Sequence, residues 1–158
     1  MSKIAPCLWF AREAEEAANF YVSLFPDSRI DHVQKNIVET PAGKPDEVLV
    51  VNFTLAGQRF MALNGGNRIE FNHAISLEID CVDQAEVDRL WDGLIDGGGA
   101  PVECGWVMDR YGVSWQVVPT VLGKYIADPD PAKAARVMQA LMRMVKLDIA
   151  GLEAAYHG

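Results

Sequence analysis

With 158 residues, half of them hydrophobic and 23% charged, the chain has the size and composition of one globular domain. Its net charge of −8 and pI of about 4.8 argue against nucleic acid and anionic membranes as partners, because both attract basic surfaces. No apolar run approaches the roughly 20 residues of a membrane span, and the N-terminus does not resemble a signal peptide. Three widely spaced cysteines, Cys7, Cys81 and Cys104, predict a reduced cytoplasmic protein without a disulfide framework or a structural zinc site.

The first half of the chain predicts a strand, a helix and three more strands. Lys3–Phe10 is a short apolar run typical of a strand, and Glu13–Phe25 places its apolar residues on one helical face. The three following strands are predicted over Ile30–Val38, Val48–Leu55 and Arg59–Leu63. The Asn64–Asn67 segment is rich in glycine and predicts a break between two halves of the chain.

The second half repeats this order. Ala74–Cys81 alternates strictly between apolar and polar residues, and we expect Ile75, Leu77 and Ile79 to face a helix. That helix is predicted to begin at Asp83, which has Glu86 at capping-box spacing, and to end at Gly97–Gly99. Short strands are then predicted over Pro101–Cys104, Gly105–Met108 and Val113–Val118.

The tail of the chain predicts helices. Asp130 precedes Pro131 and predicts a capped helix start, and Asp148 predicts the start of a final short helix to Tyr156. The chain is thus predicted to be one α+β domain over residues 1–158. It consists of a βαβββ module over about 1–64, a second over about 72–119 and a helical extension over about 120–158.

Several motifs give the chain a family resemblance. They include Pro6–Phe10, Ala14–Ala17 with Phe20-Tyr21, Gly57–Phe60, Ala62–Gly66, Cys104–Trp106, Trp115-Gln116 and Asp128–Pro131. With these, the chain resembles the vicinal oxygen chelate (glyoxalase/bleomycin resistance) superfamily. It is most similar to the PhnB-like branch, often labelled 3-demethylubiquinone-9 3-methyltransferase. The resemblance implies paired modules in a cup-shaped, half-open sheet, usually a homodimer, and often a divalent metal in the cup.

Strand parity places the four metal-ligand positions of metal-using relatives on Pro6, Met61, Ala74 and Gln116. A divalent ion needs imidazole or carboxylate ligands, and among these four only the Gln116 amide can coordinate, weakly. The same parity puts His73 on the other face of its strand, as a turn residue rather than a ligand. We therefore expect no metal.

The methyltransferase label is not supported by the glycine pattern. Enzymes that use S-adenosylmethionine commonly place a glycine-rich loop between a strand and a helix, where the backbone approaches the cofactor. Here Gly97–Gly99 follows a helix and precedes a strand, so its simplest interpretation is a helix stop. We expect no such cofactor.

Six side chains remain as candidates for contact with a ligand in the cup. Glu78 is the candidate general base, provided that it is partly buried. Arg59 is suited to an anionic group, and Trp106 to stacking on a ligand. The other predicted ligand contacts are Ser76, Ser114 and Gln116. The alternative is a polar rim around a wet cleft, with Glu78 and Arg59 as a structural ion pair.

These residues predict a metal-independent, small-molecule-binding protein or an orphan enzyme of the PhnB-like branch, and they leave catalysis itself open. One alternative is a non-catalytic dimer that sequesters its ligand, as bleomycin resistance proteins do. Another is a metal-dependent lyase, isomerase or dioxygenase, against which the ligand positions argue. We expect a homodimer, because the fold leaves sheet edges and apolar surface open.

Overall fold

A computed structural model describes residues 3–158 and divides the chain into two compact units, the first ending at Glu70 and the second beginning at Phe71. Unit 1 holds one four-stranded sheet in the order β1-β4-β3-β2, in which only β1 and β4 pair in parallel. Its elements are β1 (Cys7–Phe10), α1 (Ala14–Leu24), β2 (Arg29–Lys35), β3 (Val48–Leu55) and β4 (Gln58–Asn64).

Unit 2 repeats the same arrangement and adds three helices. Its sheet has the order β5-β8-β7-β6, again with one parallel pair, β5 and β8. Its elements are β5 (Leu77–Cys81), α2 (Gln84–Ile95), β6 (Ala100–Pro101), β7 (Trp106–Met108), β8 (Ser114–Pro119), α3 (Thr120–Ile126), α4 (Pro131–Leu141) and α5 (Ile149–His157). The predicted α+β class, with two βαβββ modules and C-terminal helices, is confirmed.

The core of unit 1 lies between α1 and one face of its sheet. The buried helix residues are Ala14, Ala17, Ala18 and Tyr21. Small alanines let the helix approach the strands closely, while Tyr21 stacks on Phe53, and Phe53 stacks on Phe60. Because side chains alternate along a strand, Thr54 and Arg59 lie on the opposite face, which α1 leaves uncovered.

The core of unit 2 is built in the same way between α2 and its sheet. The stripe predicted for the helix, Val87, Leu90, Trp91 and Leu94, is buried. It packs against the sheet face that carries Cys81, Val107, Trp115 and Val117, all of them buried. The other face of this sheet, called here the unit 2 open face, carries Glu78, Trp106, Ser114, Gln116 and Val118.

The C-terminal helices pack within unit 2. Leu122, Val137, Leu147 and Leu152 form a buried apolar cluster that also contacts Val118. The backbone N–H groups of Cys104 and Gly105 donate to the carbonyls of Met144 and Val145, both at 2.8 Å. The tail therefore covers the Val118 end of the unit 2 open face.

Several sequence predictions differ from the structure. The strand predicted over Pro101–Cys104 is only Ala100–Pro101, because the chain leaves the extended conformation before Cys104, which has a φ of 58°. The strand predicted from Ala74 begins only at Leu77, and Ile75, expected to face the helix, is 71% exposed. Asn72 accepts a hydrogen bond from the Ala74 backbone N–H at 2.8 Å, so residues 72–74 form a local turn in place of extended strand. The helix α3 lies inside the predicted helical extension, but no separate helix was predicted over Thr120–Ile126.

None of the helices within residues 3–158 combines the length and the apolar character needed to cross a lipid bilayer.

Candidate functional site

Three predicted site residues lie side by side on the unit 2 open face. Glu78 of β5 is the register partner of Gln116 in β8, and Gln116 is the partner of Trp106 in β7. Neighbouring strands are about 4.8 Å apart, so these residues form one row across the sheet. Glu78 is exposed, whereas Gln116 and Trp106 are half-buried.

Two hydrogen bonds connect the predicted serines to this row. The Gln116 amide nitrogen Nε2 donates to Ser76 Oγ at 2.9 Å, which fixes the direction of the amide. His73 Nδ1 and Ser114 Oγ are 2.7 Å apart and share a proton in a direction that depends on the histidine tautomer. Ser114 is only 1% exposed, so a molecule approaching this face meets His73 before Ser114.

His73 belongs to this group, and the prediction that it lies on the other face is wrong. Its ring contacts Trp106 edge to face, with centroids 6.1 Å apart, in addition to the bond to Ser114. Strand parity failed because residues 73–75 precede β5 and do not alternate with it. The signal available in the sequence was Asn72, whose type favours a turn immediately before the strand.

The condition set for Glu78 as a general base is not met. That role was predicted for a partly buried carboxylate, and the Glu78 side chain is exposed on β5. Its position beside Gln116 nevertheless makes it available to accept hydrogen bonds from a ligand on the unit 2 open face.

The hairpin that carries Trp106 and Gln116 is fixed by Asp109, a residue that the sequence pattern did not single out. Asp109 is 1% exposed, and its Oδ1 accepts hydrogen bonds from the backbone N–H groups of Tyr111 and Val113 at 2.8 and 3.0 Å. Its Oδ2 accepts from the Trp115 indole nitrogen at 2.9 Å. Gly112 in the same turn adopts a φ of 90°, a conformation that glycine reaches without strain.

The cysteines are poorly suited to nucleophilic chemistry. Burial raises the pKa of the Cys81 thiol to about 12 and also raises the pKa of Cys7. Cys104 is half-buried and holds a φ of 58°. Its backbone N–H contributes to the tail contact described above.

Arg59 lies in unit 1, on the sheet face opposite α1. It lines a cavity of about 480 Å³ in that unit. The remaining side chains of the cavity are Arg29, Asp31, His32, Asn52, Thr54 and Gln58. Of the six predicted site residues, the structure thus brings five together within unit 2, namely Ser76, Glu78, Trp106, Ser114 and Gln116. The sixth, Arg59, belongs to unit 1 and lies among charged side chains of that unit.

The donor set at the four predicted ligand positions does not fit a divalent metal. Pro6 has no donor atom in its side chain, Met61 offers a soft thioether, and the Gln116 amide nitrogen is bonded to Ser76. The structure places His73 rather than Ala74 on this face, but its imidazole, bonded to Ser114 through Nδ1, adds only one strong ligand to the set. Within residues 3–158, no three His, Cys, Asp or Glu side chains are grouped so as to hold a metal ion.

Comparison with known proteins decides the family. The sequence model of the family described as 3-demethylubiquinone-9 3-methyltransferase matches residues 2–118. The chain belongs to this family. Its topology and this match place it in the PhnB-like branch of the vicinal oxygen chelate superfamily, as the motifs predicted.

Solved structures agree with this family assignment. The PhnB protein from Bacillus cereus is 35% identical with a TM-score of 0.68, and the match covers 75% of this chain and all of that one. Protein PA1353 from Pseudomonas aeruginosa is 19% identical with a TM-score of 0.60, and the match covers 73% of this chain and 95% of that one. At this identity the similarity shows the fold alone. No protein with a curated description is similar enough to this chain to count as a match.

Proposed function

We propose that this member of the 3-demethylubiquinone-9 3-methyltransferase family is a metal-independent protein that binds a small organic molecule on the unit 2 open face. The observation that carries the proposal is the polar group on that face. It consists of His73, Ser76, Glu78, Trp106 and Gln116, with Ser114 behind His73. A helix covers the other side of the sheet, whereas this side presents hydrogen-bonding groups beside an aromatic wall.

Each side chain has a distinct part in this proposal. Trp106 offers an indole ring for stacking. The Gln116 amide is oriented by Ser76, so its carbonyl oxygen is directed in advance at an incoming donor group. Ser114 holds His73 through Nδ1 and leaves the other ring nitrogen, Nε2, for the ligand. Glu78 accepts a hydrogen bond from a donor group of the ligand. In unit 1, Arg59 binds an anionic group within the cavity of that unit.

We infer further that the activity in the family's description does not extend to this chain. The glycine cluster at residues 97–99 follows α2, where Gly97 has a φ of 74° and the Gly99 N–H bonds back to the Ile95 carbonyl at 2.9 Å. This is the geometry of a helix C-terminus, whereas a loop that cradles S-adenosylmethionine lies between a strand and a helix.

A non-catalytic, ligand-sequestering protein is the second candidate. The observation in its favour is the exposure of Glu78, because the general base was predicted as a partly buried carboxylate. Both candidates use the same face, and they differ only in whether bound ligand turns over.

The binding proposal is tested by a fragment screen using ligand-observed NMR, followed by titration of the best fragment into the wild type and Gln116→Ala. We expect at least tenfold weaker binding in Gln116→Ala, because the ligand loses its contact with the oriented amide and Ser76 loses its hydrogen bond to that amide. Gln139→Ala, at an exposed glutamine of α4, is the matched control and should bind as the wild type does. Equal affinity in all three proteins would contradict the proposed site.

Two further measurements separate the alternatives. Glu78→Gln that binds but no longer converts a ligand supports an enzyme, whereas turnover in neither form supports sequestration. Elemental analysis should find no stoichiometric divalent metal in the purified protein, and finding one would overturn metal independence.

We also propose a homodimer. The strands β1, β2, β5 and β6 are the edge strands of their sheets, and an edge strand offers unpaired backbone groups to a second chain. Sedimentation as a monomer at micromolar concentration would contradict it.

A further inference from the structure

Two arginines flank a threonine on three adjacent strands of unit 1. Arg29 of β2 is the register partner of Thr54 in β3, and Thr54 is the partner of Arg59 in β4. Strand spacing of about 4.8 Å places the two arginine Cα atoms roughly 10 Å apart, with both side chains on the face opposite α1. A small oxyanion fits between two guanidinium groups at this spacing.

A β-bulge is what gives β2 its cationic face. The register with β3 shifts between Ile30 and His32, so Asp31 is an extra residue without a partner of its own. After this shift, Arg29 and His32 point to the same face although they are three residues apart. His32 pairs with Asn52, whose next neighbour across the sheet is Met61.

The extra residue also orients the first arginine. Asp31 Oδ1 is 2.8 Å from Arg29 Nε, and Asp31 Oδ2 accepts a hydrogen bond from Thr54 Oγ1 at 2.6 Å. This pairing occupies the Nε edge of Arg29 and leaves its terminal Nη donors available. Within residues 3–70, the structure records no ion pair for the Arg59 side chain, which is exposed.

The cavity between these side chains is cationic in a chain of net charge −8. Its volume is about 480 Å³, and its lining carries two arginines and one histidine against the single carboxylate of Asp31. Asn52 and Gln58 add neutral amides to the lining. A cationic concavity on an acidic protein concentrates anions at one place on the surface.

From this row and its cavity, we infer that unit 1 binds the oxyanion of a small organic ligand, a carboxylate or a phosphate group, between Arg59 and Arg29. This deepens the role proposed for Arg59 and rests on that part of the proposed function alone. The contacts proposed for unit 2 are tested separately, through Gln116, and stand if this inference fails.

The test is an NMR titration of ¹⁵N-labelled full-length protein with three probes at one ionic strength. Inorganic phosphate and benzoate distinguish the two oxyanions, and benzyltrimethylammonium is the cationic control. We expect saturable shifts of the Arg29, Thr54 and Arg59 amides with at least one anion and none with the cation. The inference would be overturned if neither anion produced saturable shifts at these amides up to a concentration of about 50 mM. A dissociation constant of roughly this size is the weakest that would still indicate a site.

Variants of Arg59 show whether the shifts depend on the charge of this arginine. Arg59→Gln should weaken binding about tenfold, since a charge-assisted contact is lost, and Arg59→Lys should weaken it less because the charge remains. Arg68→Gln removes an exposed arginine of the same unit outside the cavity and should leave the affinity unchanged. An equal loss in Arg68→Gln and Arg59→Gln would mean that net charge alone attracts the anion, which overturns the site.

Discussion

Units 1 and 2 share one strand order, but different polar residues fix it. In unit 1, α1 has no side-chain cap of its own, and Asn64 at the end of β4 supplies one. Its Oδ1 accepts from the Ala14 N–H at 2.9 Å and its Nδ2 donates to the Val48 carbonyl at 3.0 Å. In unit 2, α2 is capped locally by Asp83, and the β7–β8 turn is held by Asp109.

The comparison teaches that this topology does not depend on one set of polar contacts. In both units, the residues that fix helix and turn lie at strand ends, away from the middle of the open sheet face. The open faces are therefore free to differ. Unit 1 presents Arg29 and Arg59, whereas unit 2 presents an imidazole, an amide, serines and the carboxylates of Glu78 and Asp80.

The largest expected effect is that of Asp109→Ala in unit 2. The buried carboxylate accepts hydrogen bonds from Tyr111, Val113 and Trp115, and its removal leaves these donors unsatisfied. We expect the free energy of unfolding to fall by about 3 kcal/mol, measured by urea denaturation. Asp109→Asn keeps an acceptor for part of this network and should lose less. A change below about 0.5 kcal/mol in Asp109→Ala would show that the turn is held by other contacts.

The next effect compares the remote cap with the local one. Asn64→Ala removes two hydrogen bonds of a buried side chain and should cost about 2 kcal/mol of unfolding free energy, because the Val48 carbonyl and the Ala14 N–H both lose their partner. Asp83→Ala removes one exposed cap to the Glu86 N–H and should cost about 1 kcal/mol.

Asn67→Ala is the control for this pair, since the exposed Asn67 side chain lies outside both caps. Urea denaturation of the three variants gives the order directly. If Asp83→Ala cost more than Asn64→Ala, the long-range cap of unit 1 would be the weaker of the two.

The smallest effect is the response to pH, which we expect to arise in unit 2. The Tyr156 hydroxyl donates to Asp128 Oδ2 at 2.6 Å and lowers the pKa of Asp128, and a hydrogen bond from Lys146 lowers the pKa of Asp88. A lowered carboxyl pKa adds stability above the unfolded value near 3.8, and this stability is lost as pH falls through the folded value.

The same contacts act in the opposite direction at high pH. The hydrogen bond to Asp128 raises the pKa of Tyr156, so its contribution is present below the unfolded value near 10 and is lost as pH rises through the folded one. Tyr156→Phe should therefore flatten the pH dependence of unfolding both below pH 4 and above pH 10. Profiles that coincide for variant and wild type would exclude this pair as a source.

Much of the fold could be predicted because its signals are local. Asp83, Asp130 and Asp148 cap the helices they were expected to cap, and the apolar stripe of α2 is buried as its spacing predicts. The cap from Asn64 joins residues 50 positions apart, which no local pattern contains. Helix α3 was missed because its seven residues include Gly123 and give no amphipathic stripe.

The site residues also fall into those that local alternation predicts and those that it does not. Alternation within β5, β7 and β8 places Glu78, Trp106 and Gln116 on one face, as parity predicts, since these residues lie inside regular strands. His73 was misplaced because it precedes its strand, where alternation carries no information. Arg29 was overlooked because its pairing with Arg59 across Thr54 depends on register and on a bulge that the letters of β2 do not reveal.

The contact between Val118 and the C-terminal cluster has a consequence for the boundary of the domain. The family match ends at residue 118, so the helices after it are an appendage to the shared scaffold. The backbone N–H groups of Cys104 and Gly105 nevertheless donate to carbonyls of the segment between α4 and α5. The Gln84 side chain, at the start of α2, donates to the Leu147 carbonyl and accepts from the Ile149 N–H. A chain truncated at residue 118 would leave these backbone and side-chain groups without their hydrogen-bond partners. In this protein the C-terminal helices are therefore needed for the stability of unit 2.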